Sequence, residues 1–211
     1  MEKQFKKASG ICLLVGATLA TLTMGLHPMG GNLEEIARKK TAFIFSHSLA
    51  ICSIPFICFG FWGLATALET KNRISSLAFT VVFFGLIAVM IAGTLNGFVL
   101  PMFASTYSGS KVDVAVLQLI RNYGWLLGTF MDYIFITALS LAIVIWSCII
   151  INTKRFSKWL GYYGLLIVFI TTIGFFFKFN FNNVFGFGLF MLSLVSWKIS
   201  AAILLIISSK K

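Results

Sequence analysis

Apolar residues fill this chain in six long runs, at about residues 8–26, 41–68, 74–100, 123–152, 159–177 and 184–208. Each run holds the roughly 20 mainly apolar residues that a helix needs to cross a hydrocarbon core about 30 Å thick. Polar positions are concentrated in the gaps. The runs are apolar all round, unlike the short alternating segments of a membrane β-barrel. Lipid offers backbone groups no partner, and a helix satisfies its own. The pattern predicts an all-α, polytopic membrane helix bundle with about six transmembrane helices and short interfacial helices. It forms one transmembrane domain over residues 1–211.

The gaps carry local signals. Asn32 is placed to cap a short helix, with Glu35 three residues on as its capping-box partner. Glu34 and Glu35 at the start, with Arg38, Lys39 and Lys40 at the end, suit the helix dipole. This helix is expected to lead directly into the second span. The third run is expected to end at Pro101, after Gly93 and Gly97, whose spacing permits close helix packing. Residues 114–152 read as nearly unbroken helical sequence. At 1.5 Å per residue they would run about 58 Å, twice the hydrocarbon core. A bend near residues 122–124 is therefore expected, with the first part lying along the membrane surface. A faint echo links spans two and three to spans four and five: His47 precedes Lys71 by 24 residues, and Asp132 precedes Lys154 by 22. Membrane transporters often contain such repeats.

Composition sharpens the class. Only 11% of residues are charged and mean hydropathy is +0.96, where a soluble domain carries roughly 25% charged residues. Six acids against seventeen Lys and Arg leave a net charge of +11. The bases are spread through short gaps, which predicts charges flanking spans and no nucleic-acid partner. With the N-terminus inside, ten Lys and Arg fall in inner segments and six in outer ones. That asymmetry predicts both termini in the cytoplasm. MEKQFKK followed by an apolar run resembles a secretory leader, but no small-x-small pattern precedes His27, so a retained first span is expected. Cys12, Cys52, Cys58 and Cys148 all fall in apolar runs without CxxC spacing, and read as buried small hydrophobes. Tyr123, Trp125, Trp159, Tyr162 and Tyr163 fall where an interfacial aromatic belt would place them.

Ionisable and amide groups inside spans are costly, and usually face the bundle interior or water. His47 lies about two turns into the second span, and Asp132 at a similar depth in the fourth. Asn96 lies about one turn from the outer end of the third, and His27 sits at the outer boundary beside Pro28. Together they form a candidate outward-facing polar cluster. Lys198, near the middle of the sixth span, offers Asp132 a counter-charge, or snorkels towards the inner surface. Two histidines at one level suit haem iron, and Asp132 adds a third ligand for zinc. Neither HExxH nor CxxCH is present, however, and no cofactor is predicted. GxSxG, GxxxxGK[ST] and GxGxxG are also absent.

The stretches HPMGG at 27–31, SHSLAICSIPFICFGFWGL at 46–64 and NGFVLP at 96–101 resemble a group of small bacterial inner-membrane proteins with about six spans. The resemblance covers most of the chain. It implies a bacterial inner (cytoplasmic) membrane and no particular activity, substrate or cofactor.

Three functions are compatible with these features. The first is a membrane protein that binds or senses a small molecule, lipid or partner at the polar cluster. The second is a proton-linked carrier using Asp132 and Lys198. The third is a membrane enzyme with His47 as base, oriented by Asp132 and with Ser46 and Ser48 nearby.

Overall fold

The computed structural model describes residues 2–69, 73–153, 155–181 and 183–209. Lys71, Lys154, Lys210 and Lys211, which enter the charge count and the internal echo, lie outside the described residues. The described residues form helices α1 (Lys3–Leu26), α2 (Leu33–Arg38), α3 (Lys40–Ala67), α4 (Ile74–Thr94), α5 (Leu100–Tyr107), α6 (Val114–Asn152), α7 (Lys158–Phe176) and α8 (Val184–Ser208). A single π-helical stretch, Leu95–Val99, joins α4 to α5. Among the described residues, six helical segments are long and apolar enough to cross a membrane. The chain is an integral, multi-pass membrane protein whose spans contact the lipid bilayer.

Short connections make successive spans antiparallel. α1 packs on α3, α3 on α4, α4 on α6, α6 on α7, α7 on α8, and α8 returns to α1. The bundle is thus a ring in chain order. One end, here the histidine end, carries the loops after α1, α5 and α7. The other, the terminal end, carries both chain termini. Small residues let the closest pair approach. A Cβ on Gly60 of α3 would meet the Leu13 backbone of α1 at 3.0 Å, so only glycine fits.

The terminal half is closed by stacked aromatic rings. Trp146 and Trp197 lie parallel with centroids 6.3 Å apart, and Phe61 lies 5.3 Å from Trp146. Trp146 Nε1 donates to Ser75 Oγ at 3.1 Å, and Ser75 Oγ donates to the Ala65 carbonyl at 2.8 Å. Trp197 Nε1 donates to the Leu160 carbonyl at 3.2 Å. Each indole N–H is therefore satisfied, as its burial requires.

Several local expectations are corrected. Helix does not stop at Pro101. The Leu100 N–H bonds back to the Leu95 carbonyl, and helix resumes through Pro101 to Tyr107. Proline lacks an N–H, but at the first turn of α5 it needs none. α6 is helical over 39 residues, Gly124 included, a position where glycine weakens a helix by only about 1 kcal/mol. Lys39 ends α2 instead of extending it, and Lys40 already belongs to α3. The Asn32 cap is formed, its side-chain oxygen accepting from the Glu35 N–H at 2.9 Å. The cysteines are not buried. Cys52 and Cys148 are exposed, and Cys12 and Cys58 half-buried. Lipid accommodates a thiol as readily as a protein core does, so an apolar run does not settle which way a cysteine faces.

Candidate functional site

Three spans turn 3–4-spaced stripes towards one another. On α6 the stripe runs Asn122, Trp125, Thr129, Asp132. On α3 it runs Phe43, His47, Ala50, and on α4 it runs Val89, Gly93, continuing to Asn96 on the π-helical stretch and Leu100 on α5. Where these stripes meet at the histidine end they do not fill the interior. They enclose a cavity of about 520 Å³, within the size range of small-molecule sites. His27, His47, Asn96 and Asp132 all line it, one from each of the first four spans or its boundary. Lys198 does not, and is not part of this cluster.

His47 is 6% exposed. Its Nδ1 lies 2.9 Å from the Phe43 carbonyl. A carbonyl only accepts, so Nδ1 carries the proton and Nε2 presents a lone pair. The π-helical stretch seats this ring. A Cβ on Gly97 would lie 2.1 Å from His47 Cβ and 2.2 Å from Cγ, so the imidazole rests directly on glycine backbone. The same widened turn carries Asn96, whose amide packs about 3.0 Å from where a Gly128 Cβ would stand. Such turns are frequent at functional sites.

His27 follows the last residue of α1 in extended backbone. Its ring centroid is 4.9 Å from that of His47 and 6.1 Å from Phe43. Its Nδ1 is buried. Burial holds the imidazole below its ordinary value of 6.5. The unfolded chain takes up this proton at higher pH than the folded protein does. The stability linked to His27 is thus fully present above about pH 6.5, and is lost as pH falls through the lower folded value. His27→Gln is expected to flatten the acid side of a thermal-unfolding profile recorded between pH 7 and pH 5. Identical profiles for variant and wild type would show that His27 does not titrate in this way.

Asp132 is half-buried, and no hydrogen bond or ion pair among the described residues engages its carboxylate or the Asn96 amide. The direct His47–Asp132 pair of the enzymatic reading is not formed. Ser46 and Ser48 Oγ donate to the carbonyls of Phe43 and Ile44 at 3.1 and 2.7 Å. Ser46 Oγ also lies 3.3 Å from His47 Nδ1. No three His, Cys, Asp or Glu side chains among the described residues lie close enough to hold a metal ion.

Other residues complete the rim and floor. Arg121, Asn122 and Asn183 stand at the mouth, with Trp125 beside them, and Thr23 and Thr129 lie lower. Arg121 reaches Asn122 Oδ1 at 3.4 Å, and Asn183 caps α8 through the Gly186 N–H at 2.6 Å. Trp125 is 51% exposed, so it serves both the cavity mouth and the interfacial belt. Helical spacing back from Asp132 points to Thr129, Trp125 and Asn122. Nothing local marks Asn183 except its cap position. No protein-family model, curated protein or solved structure matches this chain.

Proposed function

We propose that this membrane protein binds a small molecule in the cavity at its histidine end. The observation that carries this reading is the convergence of His27, His47, Asn96 and Asp132, from four successive spans, on one cavity. The wall offers a lone pair at His47 Nε2, an amide at Asn96 and a carboxylate at Asp132, set in apolar surface. Pockets that fix a ligand's orientation combine a few polar groups with apolar walls in this way. The distribution of Lys and Arg supports an outward-facing mouth, with both termini cytoplasmic. The sequence resemblance supports a bacterial inner membrane. The aromatic plug of Phe61, Trp146 and Trp197 at the terminal end favours binding over a carrier's through-path.

Organic extracts of the protein in lipid nanodiscs, compared by mass spectrometry with empty nanodiscs, test the proposal. The wild type is expected to enrich a small molecule. The double variant His47→Ala with Asp132→Asn is expected to lose it while remaining folded. Equal recovery from the two proteins would refute the assignment of the site.

A further inference from the structure

A second, smaller cavity of about 80 Å³ lies deeper in the bundle. Thr23, Met24, Ala50, Val89 and Phe187 line both cavities, so the two are stacked end to end. The lower one is apolar apart from Thr23, Ser53 and Lys198. The two hydroxyls are already engaged, Thr23 with the Leu19 carbonyl at 3.0 Å and Ser53 with that of Ala50 at 2.6 Å.

Lys198 is only 1% exposed. Among the described residues no hydrogen bond or ion pair reaches its amine. It ends the α8 stripe Phe187, Met191, Leu194, Lys198, which lines the lower cavity. Helical side chains lean towards the helix N-terminus, and α8 begins at the histidine end. The Lys198 stem therefore runs up into the cavities and does not snorkel to the terminal end. Nor does Asp132 neutralise it. Phe135 and Leu139, one and two turns beyond Asp132 on α6, line the lower cavity, which sets the two levels about 5–10 Å apart. A buried ammonium without counter-charge is strongly unfavourable.

We infer that Lys198 anchors the carboxylate of an elongated, mainly apolar acid whose body occupies the upper cavity. This rests on the reading of the upper cavity as a ligand site. The narrow lower space suits a group as small as a carboxylate, which accepts from the three donors of an ammonium. Above it the acid's body meets Met24, Val89 and Phe187, and its far end meets Asn96, Asp132 and His47.

The test uses the full-length protein in phosphatidylcholine nanodiscs and two radiolabelled probes, octanoate and octan-1-ol, with binding to empty nanodiscs subtracted. Octanoate is expected to bind saturably and about tenfold or more tighter than octanol, the scale of a charge-assisted hydrogen bond. Lys198→Met is expected to bring octanoate down to octanol's level and leave octanol unchanged. If that variant does not fold, the wild-type comparison decides. Equal affinity of the two probes for the wild type overturns the anchoring role and leaves the upper cavity a ligand site. Absence of saturable binding by either probe overturns both.

Discussion

Replacing Gly97 with alanine is expected to destabilise the protein by roughly 1–3 kcal/mol, the usual cost of forcing an extra methyl into a filled site, and to push His47 off the cavity wall. The new Cβ would stand 2.1 Å from His47 Cβ. His47 Cβ is fixed to the α3 backbone, so no rotamer change relieves the clash, and α3 must separate from the π-helical stretch. Unfolding temperature in detergent and ligand retention would both fall. Gly93 is the internal control. A Cβ there meets only Ile51 Cγ1 at 3.8 Å and His47 Cδ2 at 4.0 Å, which are ordinary contacts. Gly93→Ala is therefore expected to leave the unfolding temperature close to wild type. Two variants with the same temperature would contradict the packing described here.

Trp146→Ala is expected to cost about 3–5 kcal/mol, as large aromatic truncations in packed cores do. Trp146 is fully buried, stacks on Trp197, packs against Phe61, and holds Ser75 at the start of α4. Its loss removes ring contacts on two sides and opens the closure of the terminal end. Denaturant titration of the reconstituted protein measures the cost. A change below about 1 kcal/mol would show that the stack contributes little, in contrast to the large aromatic truncation expected here.

The spans were legible because lipid makes one demand on every residue in them: long apolar runs mean helices. The last run coincides with α8, residue for residue. Breaks were harder to place. Pro101 reads as a stop, but its effect depends on the hydrogen-bond register of the turn before it, and the π-helical stretch changes that register. The depths of His47, Asn96 and Asp132 could be counted from span ends, because 1.5 Å per residue fixes height. Their facing could not be read from height alone. It follows from the ring order of the helices, a tertiary property set by contacts such as Gly60 on Leu13 and Gly97 on His47. Lys198 shows the same limit. Its depth was readable, but its upward direction needed α8's place beside α1 and the cavities.

Native mass spectrometry of wild type and Gly93→Leu, released side by side from gentle detergent, tests the binding site most directly. The leucine side chain enters the cavity from a position where its Cβ clashes with nothing. The proposal predicts a retained small-molecule mass on the wild type and its absence from a folded Gly93→Leu. The same adduct on both proteins would contradict it.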